Sequence, residues 1–380
     1  MFREYDGHIS ATLLMEEFLY LNPLDLRNGF LFSGLHCASF FGIVEVVAAL
    51  IRMEDYNINA GDFRGYTALA WAAHNGHEEV VRTLLGREGV NPDKPGDGRG
   101  TPLTYAAWYG RERVVKILLG RDEVNLDRPD NDGRTPLSYA AQNGCEEVVE
   151  ILLTREEVNP DKPDHGGGTP LTYGAWYGRE GAVKILLGRE KVNPDTQGNG
   201  GRTPLSYAAW YGHERVVKII LGVQKVNPDE PDNDGWMPLS YAAQYGRERV
   251  VKILLGREEV KPEKPDNGGR TPLSYAARYG HKGVLKRLLR REEIDPDEQD
   301  SDGRTPLSYS AWHGHEGVVK ILLERQEVDP DVPDNDGRTP LSYAAWNRHE
   351  RVAKMLLRRE EVNPDKPDDG GRTPLSYAAW

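Results

Sequence analysis

The chain has 380 residues, 38% of them hydrophobic and 28% charged, with a formal net charge of -12. So low a hydrophobic share does not suit one large globular core, and an acidic balance argues against a surface that tracks nucleic-acid phosphates, which needs a basic stripe. The two cysteines, Cys37 and Cys145, point to a reducing compartment: the cytoplasm, with the nucleus as the alternative.

The first residues, Met1-Phe2-Arg3-Glu4-Tyr5-Asp6, show no basic segment leading into an apolar one, so no secretory signal is expected. Residues 9–21 read as a helix with apolar positions at Leu13, Leu14, Phe18 and Leu21, ended by Asn22-Pro23. Glu16, Glu17 and the shortness of the stretch argue against a membrane span. This helix and a lead-in turn at Asn28-Gly29 occupy residues 1–32. They are expected to cap an array, because a stack of repeats needs a terminal element with a polar outer face.

From residue 33 onward one sentence is restated. Thr203 to Gly212 reads Thr-Pro-Leu-Ser-Tyr-Ala-Ala-Trp-Tyr-Gly, and counterparts begin at Thr101, Thr135, Thr169, Met237, Thr271, Thr305, Thr339 and Thr373. Looser versions begin at Ser33 and Thr67 on the same 34-residue register. A fixed period of this size marks stacked repeats: ten units over residues 33–372 and the start of an eleventh at 373–380. The chain stops inside that helix, as a fragment or truncated reading frame would. Cys37 and Cys145 lie about three repeats apart, some tens of ångströms at roughly 8–10 Å per packed helix, so they are not expected to bridge.

Within the copy from Thr203 to Trp236, Thr203 is suited to cap a helix and Pro204 to its first turn. Leu205, Ala208 and Ala209 give it a small apolar side, and Gly212 stands where a left-handed residue is needed. Glu214 opens a second helix whose buried stripe is Val216, Val217, Ile219, Ile220 and Leu221, with Lys218 facing water. Val226-Asn227-Pro228-Asp229 and Asp232-Asn233-Asp234-Gly235 then read as turns of a tight hairpin.

Thr-Pro-Leu-x-x-Ala-Ala-x-x-Gly-His, Val-Val-x-x-Leu-Leu and Asp-x-x-Gly-x-Thr-Pro together resemble the ankyrin repeat, over about nine-tenths of the chain. The resemblance implies an all-α-dominated repeat solenoid, each unit a helix-turn-helix plus a β-hairpin or loop, with the first helices and hairpins on a concave side. Two features depart from the family pattern: only His36 matches its usual His after Thr-Pro-Leu, and the unit is 34 residues long instead of 33. This variant is similar to the near-identical arrays of fungal proteins, often attached to NACHT nucleotide-binding domains. The alternative role is therefore a ligand-sensing arm of such a switch, whose nucleotide-binding domain is missing from this chain.

Signals for chemistry are weak. No Gly-x-x-x-x-Gly-Lys-Ser/Thr loop occurs, and His313-Gly314-His315 lacks converging ligands. Acid pairs such as Glu258-Glu259 recur in loop after loop, whereas catalytic carboxylates need dissimilar environments. No enzyme activity, cofactor, metal or small-molecule substrate is expected, and neither nucleic acid nor membrane as partner. Lys282, Lys286, Arg287, Arg290 and Arg291 read as a solvated outer face neutralised by Glu292 and Glu293.

The positions that vary between copies carry more. One first-helix pair reads Trp108-Tyr109, Gln142-Asn143, Trp176-Tyr177, Trp210-Tyr211, Gln244-Tyr245, Arg278-Tyr279, Trp312-His313 and Trp346-Asn347 along the array. The residue before each repeat is often large: Arg134, Arg202, Trp236, Arg270, Arg304 or Arg338. Tyr207, Trp210 and Tyr211 share one helix face, and Trp, Tyr and Arg dominate binding hot spots. The constant tyrosines, Tyr139 and Tyr207 among them, read as packing between units. The alternating Trp/Gln/Arg position reads as partner contact, because packing alone would favour one residue throughout. The chain thus reads as a non-enzymatic scaffold that binds a protein in a groove.

Overall fold

A computed structural model describes residues 33–53, 57–96 and 100–379; the capping helix expected at residues 9–21 lies outside them. Within the described residues the chain forms ten helix pairs and a last single helix, Pro374–Ala378. The first five pairs are Gly34–Phe41 with Val44–Leu50, Ala68–Asn75 with Glu78–Leu85, Pro102–Trp108 with Glu112–Leu119, Pro136–Asn143 with Glu146–Leu152, and Pro170–Trp176 with Glu180–Leu187. The next five are Pro204–Tyr211 with Glu214–Leu221, Pro238–Gln244 with Glu248–Leu254, Pro272–Arg278 with Lys282–Leu288, Pro306–Trp312 with Glu316–Leu323, and Pro340–Trp346 with Glu350–Leu356. The chain divides into two compact units, Met1–Pro170 and Leu171–Trp380, each built of such repeats.

Local chemistry sets the helix ends. Thr203 is extended, its side chain accepts the Ser206 N–H, Pro204 follows in the first turn, and Gly212 closes the helix at φ 81°. Met237 stands at the cap of one repeat without a side-chain bond. None of these helices exceeds eight residues, well under the roughly 12–15 an isolated helix needs in water, so packing must hold them. Val216, Val217, Ile220 and Leu221 are buried from one second helix. At about 1.5–3 kcal/mol per fully buried aliphatic side chain, they outweigh the caps.

The loop between pairs is a closed turn, without a β-ladder among the described residues. An isolated bridge joins Gly61 and Thr67. In the hairpin before Met237, Asp232 N–H donates to the Trp236 carbonyl and Gly235 N–H to the Asp232 carbonyl. Within the second unit, three kinds of polar contact then tie successive repeats. Asn267 N–H reaches the Asp234 carbonyl at 3.0 Å, as Asn335 N–H does that of Asp302. Asp229 accepts the Lys261 N–H at 2.7 Å, and Asp297 that of Asp329 at 2.6 Å. Finally, His281 Nε2 lies 2.8 Å from the Gln244 carbonyl, and Arg247 Nε donates to that of Trp210 at 3.0 Å. That position is His or Arg in most copies, with Cys145 in one, because both place an N–H on a carbonyl left open at the end of a short helix.

Arg348 is the one non-glycine residue with positive φ among the described residues, at 59°; its sisters are glycines such as Gly314 and Gly280. The left-handed region costs a residue with a Cβ roughly 1 kcal/mol. Arg348→Gly is expected to stabilise its repeat by up to about that amount. Amide exchange across Val352 to Leu356 should slow relative to Val216 to Ile220; equal exchange in parent and variant would show that Arg348 is unstrained.

The inter-repeat aspartates sit in unlike surroundings. Asp331 meets Lys366 Nζ at 3.1 Å, whereas Asp297 faces acids. Burial pushes its carboxyl up, the Asp329 N–H pulls it down, and Asp295, Asp329 and Glu327 push it up again, to about 6. The unfolded carboxyl titrates near 3.9, so the folded chain holds this proton more tightly. The cost of the buried charge is full above pH 6 and fades as the pH falls towards 4. Asp297→Asn is expected to stabilise the chain at pH 7.5 by on the order of 1 kcal/mol, after discounting for its half-exposed setting. Denaturant titrations at pH 7.5 and 5 check this: the advantage must shrink at pH 5.

Candidate functional site

In most repeats the sequence brings one carboxylate into the hairpin base, with Gly96 and Gly198 as the exceptions, and the site grows from it. Asp232 is buried, and its Oδ1 accepts the N–H groups of Asp234 and Trp236 at 3.0 and 2.8 Å. Its Oδ2 accepts the hydroxyl of Tyr241, nine residues on, in the first helix that follows the hairpin. The pattern recurs in Tyr139 with Asp130, Tyr275 with Asp266, Tyr309 with Asp300, Tyr343 with Asp334 and Tyr377 with Asp368. In the repeat at Thr67 a tryptophan takes the role, Trp71 Nε1 donating to Asp62 at 2.8 Å. Burial first, then the hydrogen bond to the carboxylate, raise the phenols of Tyr139, Tyr241, Tyr275, Tyr309 and Tyr343, the last to about 12, so these five stay protonated donors.

Each hairpin arginine reaches into the following repeat. Arg202 Nε donates to Tyr241 Oη at 2.7 Å and lies 3.8 Å from Asp232. Arg270, Arg304 and Arg338 donate in the same way to Tyr309, Tyr343 and Tyr377. Arg134 sits 3.8 Å from Asp164. The tryptophans do likewise: Trp210 stacks on Tyr241 with centroids 5.2 Å apart, Trp176 on Tyr207 at 5.1 Å, Trp312 on Tyr343 at 5.0 Å, Trp346 on Tyr377 at 5.3 Å and Trp108 on Tyr139 at 4.5 Å. Arg202 closes the unit from above, its guanidinium 5.2 Å from the Trp210 ring.

The residues singled out from the sequence therefore fall into two layers. Trp108, Trp176, Trp210, Trp236 and Trp312 are half-buried, as are Arg202, Arg270, Arg304 and Arg338, and the contacts above occupy part of each. Above them stand exposed side chains: Tyr109 (44%), Tyr177 (43%), Tyr211 (39%), Tyr245 (37%), Tyr279 (43%) and Trp346 (48%). In the second unit Tyr177, Tyr211, Tyr245 and Tyr279 occupy one position in four successive repeats. They rest on the layer beneath, Tyr211 5.4 Å from Trp210 and Tyr245 5.4 Å from the same ring. Sequence reasoning missed the buried aspartates. Their signal was an Asp nine residues before the constant tyrosine in copy after copy.

Elsewhere, among the described residues, no group of three or more His, Cys, Asp or Glu could hold a metal ion, and no helix is long and apolar enough to cross a membrane. His315 Nε2 is 2.9 Å from the Arg278 carbonyl, the packing position of its sisters. On the basic outer helix, Arg287 pairs with Glu248 of the preceding repeat at 2.8 Å, and Arg291 with Glu293 at 3.5 Å. The neutralising partner of Arg287 is thus Glu248, where the sequence suggested the adjacent glutamates.

Matches to the family model described as ankyrin repeats (three copies) overlap one another from residue 14 to residue 380. No curated protein matches the chain.

The two layers should separate on mutation. Tyr241→Phe leaves Asp232 Oδ2 and Arg202 without the hydroxyl between them, at an expected cost of about 1–3 kcal/mol. Tyr245→Ala, on the exposed layer, should stay within about 0.5 kcal/mol of the parent. Thermal or urea unfolding of the two variants measures both; equal losses would mean that the exposed row is also structural.

Proposed function

We propose that this chain, which belongs to the ankyrin repeat family, is a non-enzymatic scaffold that binds a partner protein on the face made by its hairpins and first helices. The observation that carries this reading is the row of exposed Tyr177, Tyr211, Tyr245 and Tyr279. Four large amphipathic rings stand on one register, already held by the tryptophans, arginines and buried Tyr–Asp pairs below them. Such rings contribute large contact area and lose little conformational freedom on binding. Arg202 supports the row from within through Trp210, and Trp176 and Trp210 stack against Tyr177, Tyr211 and Tyr245. The outer helices are a poorer surface: their cations are long, solvated and paired to glutamates of the neighbouring repeat, and exposed pairs contribute little.

The test uses any protein captured by the immobilised chain. Tyr211→Ala with Tyr245→Ala should weaken that complex at least thirtyfold, since central aromatic anchors cost about 2 kcal/mol or more on truncation, and the melting curve should not move. Lys286→Ala with Arg290→Ala should leave binding unchanged. Loss of affinity in the outer variant alone would transfer the function to the second helices.

A further inference from the structure

In two hairpins of the second unit an arginine neutralises the acid two residues before it. Arg304 pairs with Asp302 at 2.7 Å and lies 5.2 Å over the ring of Trp312; Arg338 pairs with Asp336 and lies 5.5 Å over Trp346. These are worked examples, inside the same chain, of a guanidinium held between a hairpin carboxylate and an aromatic ring. The hairpin from Asn227 to Trp236 breaks the pattern. It carries Asp229, Glu230, Asp232 and Asp234 and no basic residue, and Trp236 stands where the arginine should be.

Three of its four acids are engaged. Asp229 accepts the Lys261 N–H at 2.7 Å. Glu230 accepts from Gln197 and Asn227 at 3.2 and 2.7 Å. Asp232 is saturated by its own hairpin, Tyr241 and Arg202. Asp234 is exposed, and its carboxylate has no ion pair or hydrogen bond among the described residues. Beside it, Trp236 is wedged between repeats, 5.1 Å from Tyr241 and 4.3 Å from Tyr275, so its ring is fixed in place. Tyr245 and Tyr279, both exposed, close the first helices that carry Tyr241 and Tyr275, with Gln244 Nε2 3.4 Å from Tyr279 Oη. The cations on that face are already committed: Arg202 to Tyr241 and Asp232, Arg270 to Tyr309 and Asp300, and Arg278 to the Tyr279 and Tyr309 rings at 5.7 and 5.5 Å.

We propose that the partner supplies the missing cation: an arginine or lysine of an extended, basic segment seats against Asp234 and the Trp236 ring, while the segment runs along the exposed tyrosines. The inference rests on the reading of this face as the binding surface and specifies its occupant. A lone carboxylate beside an aromatic ring is a cation seat in two ways, by charge and by the ring quadrupole. An extended chain of the polyproline type advances about 9 Å in three residues, close to the roughly 8–10 Å between packed helices, so every third side chain meets a new repeat.

Two labelled nine-residue probes, three copies of Arg-Pro-Pro and three copies of Glu-Pro-Pro, are titrated against the full chain by fluorescence anisotropy. The arginine probe is expected to bind and the glutamate probe not. Asp234→Asn should weaken the arginine probe about fivefold, the upper range for an exposed charge pair. Trp236→Arg, which restores the residue of the sister hairpins and so should melt like the parent, should weaken it about thirtyfold by occupying the seat and removing the ring. Failure of the arginine probe to bind, equal binding of both probes, or undiminished binding to Trp236→Arg overturns the proposal. The captured partner separates the two readings. If Tyr211→Ala with Tyr245→Ala releases it and Trp236→Arg does not, the cation seat is wrong and the face stands. If neither releases it, both are wrong.

Discussion

The structure depends on a carboxylate that cannot be left alone. Asp232 is buried, and a buried charge without partners is too costly to persist. Its partners come from three places: backbone N–H groups of its own hairpin, the Tyr241 hydroxyl of its own first helix, and Arg202 of the hairpin before. Satisfying it therefore fixes the hairpin, docks the hairpin on the helix and sets the register between successive repeats. The same demand recurs at Asp266, Asp300 and Asp334, and it adds a fixed register to short helices that aliphatic packing holds.

The tyrosine that serves the carboxylate has a second requirement, a flat group over its ring. Trp210 covers Tyr241 and Trp312 covers Tyr343. Where the first helix carries Gln244, Trp236 of the hairpin comes across to cover Tyr275. Where it carries Arg278, the guanidinium plane lies 5.5 Å from the Tyr309 ring. Variation at this position, which in the sequence resembled adaptation to a partner, is compatible with packing because Trp, Arg or a borrowed Trp all supply a planar cover. The exposed tyrosines one residue later bear no such duty and vary to Asn143, His313 and Asn347. Exposure and structural duty are thus divided between adjacent residues of one helix.

The legible part of the chain was whatever a residue decides about its own neighbourhood. Thr203, Pro204 and Gly212 announce a helix and its ends through local torsion preferences and one short-range bond, and the structure places them so. Val216 and Val217 announce a buried stripe by spacing alone. The arginines were harder. Pairing with nearby aspartates was in view, but Arg202 reaches Asp232 and Tyr241, 30 and 39 residues on, because stacking makes the next repeat nearer than most of its own. The hairpin was read as a hairpin, yet its turn is held chiefly by one aspartate side chain in place of strand pairing.

By itself, then, the sequence determined the period, the helix pairs, their caps and the family, since these follow from local preferences repeated until they are unmistakable. It also placed the candidate face on the first helices and hairpins. Only the tertiary structure decided which aromatic residues are spent on holding repeats together and which stand in water, and that, among the described residues, the Asp234 carboxylate alone of its hairpin's acids has no ion pair or hydrogen bond. Those properties belong to contacts between repeats, where residues some 30 to 40 positions apart become neighbours, and no single copy of the repeat contains both members of the pair.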